Sequence, residues 1–313
     1  MTLDALLSQA RAALAAAGVA SPDSDAVALA AHVLGVDAGE VRRRAVLRGP
    51  VEERDVERFD ELVQERLLRV PLQHLTGRAF FRHLTLAVGP GVFVPRPETE
   101  VTAQHAVDAA LAAGDAPVVV DLCTGSGAIA LALADEVPGA AVHAVELSPE
   151  AHAWAAQNVA RLAGALERPV DLRLGDATTA FPDLEGRVDV VVSNPPYIPD
   201  GAVPLDPEVR DHDPEVALYG RSTDGLAVPL AVAARAAVLL RPGGVLVMEH
   251  ADTQGASLPE ALRSTGRWSE VVDHADLTGR PRATVAVRSS DPGQDERHEQ
   301  DDDDGGADGP QQS

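Results

Sequence analysis

Asp121-Leu122-Cys123-Thr124-Gly125-Ser126-Gly127-Ala128-Ile129-Ala130 decides the fold. The apolar run 117–122 leads into it and a helical pattern over 129–134 leads out. It therefore reads as a strand entering a helix through a tight turn. Glycines in such a turn let the backbone approach a ligand closely, and the first turn of the helix offers free N–H groups. Ala130 stands where a Gly-x-Gly-x-x-Gly dinucleotide fingerprint has its third glycine.

Downstream, strands and helices alternate. Residues 141–145 read as a strand ending at Glu146, 151–162 as a helix, and 170–174 as a strand ending at Asp176. A further strand, 188–192, ends at Asn194; a long helix covers 226–240, and a fifth strand covers 245–249. This alternation predicts a parallel sheet with helices on both faces, an α/β architecture. Residues 284–287 are expected to add an antiparallel edge strand.

Upstream, Leu3, Leu6, Leu7, Ala10 and Leu14 recur at helical spacing. Ser21-Pro22-Asp23 signals a second helix start, and Val56, Phe59, Leu62, Val63 and Leu67 mark another helix. Residues 1–75 thus form a predicted helical domain, read either as a folding appendage or as a substrate-docking unit. Residues 76–97 read as a β-hairpin linker, with alternation over 80–88, then Gly89-Pro90-Gly91, then Val92-Phe93-Val94. Pro97 is placed in the first turn of the helix that opens the α/β domain, 98–288.

The remainder, 289–313, carries nine acidic residues against Arg297, about −8 of the net charge of −23. Too polar to offset the entropy of ordering, it is expected to be disordered. The body is still acidic and repels a phosphate backbone, which disfavours direct nucleic-acid binding. A single cysteine, Cys123, excludes an internal disulfide framework. The N-terminus lacks the pattern of a signal peptide, and no apolar run approaches the ~20 residues of a membrane span. A cytoplasmic, monomeric protein with no membrane association is expected.

Three chain positions complete a ligand site at the carboxyl edge of the sheet. Glu146 ends the strand that follows the glycine turn, where a carboxylate accepts both hydroxyls of a ribose. Asp176, with Ala177 beside it, is placed to accept from an adenine amine. Asn194-Pro195-Pro196-Tyr197 is the most informative stretch. Two successive prolines make it rigid. The Asn194 side-chain oxygen and the adjacent backbone carbonyl form a fork that matches the two N–H bonds of a planar amino or amide group, and Tyr197 covers its flat face. Nicotinamide, flavin and S-adenosylmethionine enzymes all use such glycine turns, but a nicotinamide dehydrogenase leaves Asn194 to Tyr197 unexplained. No His–Asp pattern accompanies Cys123 as a nucleophile, and the histidines show no metal-ligand spacing.

The combination resembles Rossmann-like amino-methyltransferases. Pro71-Leu72-Gln73-His74-Leu75-Thr76-Gly77, Val94-Pro95-Arg96-Pro97-Glu98-Thr99-Glu100, Ser193-Asn194-Pro195-Pro196-Tyr197-Ile198, Asp213-Pro214-Glu215-Val216-Ala217-Leu218, and Gly243-Gly244 before Glu249-His250 are similar to those of the release factor glutamine N5-methyltransferases. The resemblance implies a Rossmann-like S-adenosylmethionine-dependent methyltransferase sheet behind an N-terminal helical docking domain. It implies S-adenosylmethionine held by Cys123, Thr124, Gly125, Ser126, Gly127, Glu146, Asp176, Ala177 and Asn194, and a target nitrogen held by Asn194, Pro195, Pro196 and Tyr197. The implied substrate is the glutamine of the Gly-Gly-Gln motif in class I peptide chain release factors, without a metal. Cys123 stands where many relatives have glycine, and Ala177 where some have an aromatic. A ribosomal-protein glutamine methyltransferase, an adenine-N6 nucleic-acid methyltransferase and a non-enzymatic cofactor-binding scaffold are the competing readings.

Overall fold

Apolar residues at helical spacing build the first layer. In the computed structural model, which describes residues 1–290, these are α1 (Leu3–Ala16), α2 (Pro22–Leu34), α3 (Ala38–Val46), α4 (Glu53–Leu67) and α5 (Leu72–Thr76). Leu3, Leu6, Leu14, Leu29, Val41, Phe59 and Leu62 form their shared buried core. The expected disorder of 289–313 falls almost wholly outside the described residues.

The linker hairpin is β1 (Arg78–Phe81) with β2 (Leu84–Ala87). Its register pairs Phe81 with Leu84, so the chain reverses at Arg82-His83 and not at Gly89-Pro90-Gly91. This corrects the sequence reading. Arg82 takes the left-handed φ of 51° because tertiary partners hold it. Its N–H donates to Glu100 (3.0 Å) and its guanidinium to Gln104 (2.8 Å) and Glu136. The Gly89-Pro90-Gly91 corner packs instead on Trp154, whose indole N–H donates to the Pro90 carbonyl at 3.1 Å. A Cβ at Gly89 would lie 2.4 Å from the Trp154 ring.

The α/β unit follows as α6 (Thr99–Ala113), β3 (Val118–Leu122), α7 (Ala128–Glu136), β4 (Ala141–Glu146), α8 (Pro149–Leu162), β5 (Asp171–Leu174), β6 (Val188–Ser193), α9 (Pro207–His212), α10 (Ala227–Leu239), β7 (Leu240–Glu249), α11 (Ser257–Ser264), β8 (Trp268–Ala275) and β9 (Pro281–Arg288). Pro97 thus precedes the helix by two residues and does not sit in its first turn. The strand order is β5-β4-β3-β6-β7-β9-β8. Strands β5, β4, β3, β6 and β7 are parallel, β9 runs antiparallel to β7, and β8 runs antiparallel to β9 and so in the direction of the parallel set. The expected antiparallel strand at 284–287 is therefore internal, flanked by β7 and by β8, which takes the edge.

Side chains alternate across the sheet with the period of a strand. Val119, Val190, Val192 and Val247 join the core beneath α6 and α7. Val120, Val191, Leu246 and Met248 join the core beneath α10 and α11. The strand order reverses between β3 and β6, and at that switch point a crevice opens at the carboxyl ends of the strands.

Candidate functional site

The crevice is a cavity of about 550 Å³, built from the ends of β3, β4 and β6 and the loops that follow them. Its floor is the turn after β3. Cys123, Gly125 and Gly127 there adopt φ of 68°, 59° and 84°. This repeated left-handed geometry explains why glycine suits position 123, where cysteine bears the cost of a Cβ. Asp121, fully buried, fastens both ends of the turn. One of its oxygens accepts from Thr124 Oγ1 at 2.6 Å and from the Ala130 N–H at 3.1 Å. Burial, with a smaller contribution from Glu146, pushes its pKa up to about 7. Burial likewise pushes the Cys123 thiol far up, so it is no thiolate nucleophile.

Glu146 sits buried at the end of β4 with both oxygens fixed. The Gly125 N–H donates to one at 2.8 Å and the Ser148 N–H to the other at 2.8 Å. Asp176 is more open. The Thr178 N–H (2.8 Å) and hydroxyl (2.7 Å) hold its carboxylate below its usual range, the backbone donor contributing most. Ala177 is buried against the same wall as Val228, Ala231 and Val232 of α10.

At the end of β6, Asn194, Pro196 and Tyr197 line the cavity, and Pro195 is buried behind them. Of the other residues expected in the site, Cys123, Thr124, Gly125, Ser126, Glu146, Asp176 and Ala177 line the cavity, whereas Gly127 lies beneath the turn as the N-cap of α7. The Asn-Pro-Pro-Tyr corner is braced from outside. The Tyr197 carbonyl accepts from Gln254 Nε2 at 3.0 Å, and a Cβ on Gly225 would lie 2.1 Å from that carbonyl. Ile198 N–H donates to the Leu218 carbonyl (2.8 Å) and Gly220 N–H to the Ile198 carbonyl (2.9 Å).

Several contributors were given no role by the sequence reading, although Asp213 to Leu218 and Glu249 lie in its motifs. Asn158, buried in α8, donates to the Ala87 and Ser126 carbonyls at 2.9 Å each and accepts from the Ala87 N–H at 2.7 Å. It ties the hairpin to the glycine turn. Glu249 at the end of β7 accepts from Thr99 (3.3 Å), Thr102 (3.1 Å) and Tyr197 (3.5 Å). The far wall comes from the segment around α9, with Val209, Pro214 and Val216 to Tyr219 facing the cavity. Asp213 there pairs with Arg96 at 2.8 Å; burial raises its pKa to about 6 against the pull of that guanidinium. Glu208 of α9 reaches the helical domain, pairing with Arg69 and Arg66. Among the described residues no cluster of metal-ligating side chains occurs and no helix is long and apolar enough to cross a membrane.

A sheet of this order, with a crevice between a glycine turn, a carboxylate-ended second strand and an Asn-Pro-Pro-Tyr corner, defines a Rossmann-like methyltransferase enzyme. Residues 5–77 match the family model described as PrmC N-terminal domain, and 119–203 match that of a methyltransferase domain. The chain belongs to the release factor glutamine methyltransferase family. It is 52% identical over 286 residues to the Streptomyces coelicolor release factor glutamine methyltransferase, covering 90% of this chain and 97% of that one. It is 50% identical to the Mycolicibacterium smegmatis protein of the same name, over 89% and 95% of the two chains. A Streptomyces pristinaespiralis protein named 4-amino-L-phenylalanine/4-methylamino-L-phenylalanine methyltransferase is also similar, 44% identical over 86% of this chain and 89% of its own.

Proposed function

We propose that this enzyme transfers a methyl group from S-adenosylmethionine to the side-chain amide nitrogen of the glutamine in the Gly-Gly-Gln motif of class I peptide chain release factors. One observation carries the reading: a stiff Asn194 to Tyr197 corner lies in the same cavity as the glycine turn and Glu146.

The residues present suit the donor. The cavity volume falls within the range of small-molecule sites, about 300–1,000 Å³. No atom lies within 4 Å of a Cβ built on Gly125, which leaves room for a ligand against the turn. Glu146, aimed by two backbone N–H groups, keeps lone pairs for ribose hydroxyls. Asp176 stands at the adenine end, and Val228, Ala231 and Val232 supply the apolar cover that Ala177 is too small to give. When bound, S-adenosylmethionine supplies a methyl group made electrophilic by its sulfonium.

The chain's own groups do the rest. A primary amide nitrogen is a weak nucleophile because its lone pair is delocalised into the carbonyl. Asn194 Oδ1 and the backbone carbonyl of the corner accept its two N–H bonds, fix its orientation and raise electron density on nitrogen. Tyr197 covers the flat face. An N-protonated amide is strongly acidic, so its proton passes to water without a dedicated base. Residues 5–77 dock the protein substrate and deliver its loop to the cavity.

The test is incubation of the enzyme with radiolabelled S-adenosylmethionine and purified release factor, with mass mapping of the product. Label on the Gly-Gly-Gln glutamine, lost in Asn194→Ala at saturating S-adenosylmethionine, supports the reading. The similarity to a 4-amino-L-phenylalanine methyltransferase favours a second reading, in which the same fork holds a free aromatic amine. Faster turnover of 4-amino-L-phenylalanine than of release factor would select it.

A further inference from the structure

A side-chain amide in a binding fork has two ends that differ chemically but not in shape. Only the oxygen end accepts an N–H from a substrate amide. Something must therefore keep Asn194 from turning its NH2 into the cavity.

Asn194 Nδ2 lies 3.3 Å from Thr99 Oγ1. Thr99 Oγ1 lies 3.3 Å from Glu249 Oε1, and the other Glu249 oxygen accepts from Thr102 Oγ1 at 3.1 Å. Tyr197 OH points at the same Glu249 oxygen from 3.5 Å. Thr99, Thr102 and Glu249 are all buried, at 4%, 0% and 2% exposure. Contacts of this length tighten when a ligand completes a site.

We infer that Glu249 and Thr99 are positioning residues that set the polarity of the Asn194 amide and so make the corner selective for N–H donors. The inference rests on the reading of Asn194 as the substrate fork. A carboxylate has no proton to give, so Thr99 must spend its hydroxyl proton on Glu249. The Thr99 oxygen can then only accept, and only the NH2 end of Asn194 can face it. The Asn194 oxygen is left for the cavity. The Tyr197 phenol donates to the same carboxylate, so one buried acid orients both walls of the fork. Protonation of Glu249 frees the Thr99 proton, allows it to donate to Asn194 Oδ1, and lets the amide turn over.

The groups facing Glu249 are the Thr99 and Thr102 hydroxyls and Glu98 from α6 and the turn before it, Tyr197 after β6, and Arg282 from β9. Burial outweighs Arg282 and the hydroxyl donors, and the acid is raised to about 7. The polarity of the fork is accordingly sensitive to pH near neutrality.

Thr99→Val keeps shape and removes the hydroxyl. Its kcat on release factor should fall at least tenfold, with affinity for S-adenosylhomocysteine, measured calorimetrically, within twofold of the parent. Thr99→Ser should restore most of the loss. Glu249→Gln cannot titrate, and should flatten the fall in kcat that the parent shows as pH drops from 8 to 6. Thr99→Val within threefold of the parent in kcat, or Glu249→Gln with the parental pH profile, overturns the inference while Asn194→Ala remains inactive. If Asn194→Ala itself turns over normally, the fork reading fails first and the inference falls with it.

Discussion

Glu208→Ala removes the acid that joins the helical domain to the cavity wall. Glu208 accepts from Arg69 Nε at 2.8 Å and Arg69 Nη2 at 2.5 Å, and from Arg66 Nη1 at 2.7 Å. Its side chain is 10% exposed and that of Arg66 8%. Breaking a buried ion pair costs about 3–5 kcal/mol when the other charge is stranded. Arg66 retains Asp25 at 2.8 Å, and Arg69, 20% exposed, recovers water, which places the loss at about 2–3 kcal/mol. For a chain of this length that corresponds to a melting temperature lower by roughly 3–5 °C. The assay is urea denaturation of the parent, Glu208→Ala, Arg69→Ala and the double variant. A coupling energy of about 1–2 kcal/mol is expected for neighbours in one network. Arg69 and its partners hold the Glu208 carboxyl well below its ordinary 4.5, despite opposing burial. A depressed acid stabilises fully above its unfolded value, so the gap between parent and variant should be complete at pH 7. It should shrink as pH falls below about 4.5. A coupling below about 0.5 kcal/mol, or a gap that widens in acid, refutes the reasoning.

Two further outcomes are expected. Asn158→Ala leaves the buried Ala87 N–H and the Ala87 and Ser126 carbonyls unpaired; it should cost about 2–4 kcal/mol in denaturation and weaken S-adenosylhomocysteine binding by loosening the glycine turn. Asp121→Asn should gain stability relative to the parent as pH rises from about 4 to about 7, at up to about 1.4 kcal/mol per pH unit. An acid whose folded pKa is raised stabilises below its unfolded value and loses that contribution through the window. A parallel pair of stability–pH curves would contradict this.

The alternation of β3, β4, β6 and β7 with their helices was legible because buried parallel strands read as largely apolar runs ended by Asp, Glu or Asn, and the edge strand β5 was legible from the alternation of Val170, Leu172 and Leu174 ahead of Gly175-Asp176. The same runs located the glycine turn, Glu146 and the Asn194 corner. Strand β8 was not legible: of its eight residues only Trp268 and Val271 are buried, since an edge strand faces solvent along most of its length. α3 buries only Val41 and is otherwise rich in arginine, so it carries no apolar stripe. The hairpin turn was misplaced because Gly-Pro-Gly is a strong local signal, whereas the turn at Arg82 is imposed by Glu100, Gln104 and Glu136 far along the chain. Thr99 and Glu249 meet across 150 residues of sequence, and no local pattern announces such a pair.

α9 is one short helix with two obligations. Glu208 belongs to the arginines of the helical domain and its neighbour Val209 to the cavity. An exchange of N-terminal helical domains between family members would therefore break at this point unless residues 206–218 travelled with the graft. Under the docking role proposed for the helical domain, recognition of the protein substrate and the shape of the reaction chamber are inherited as a single module.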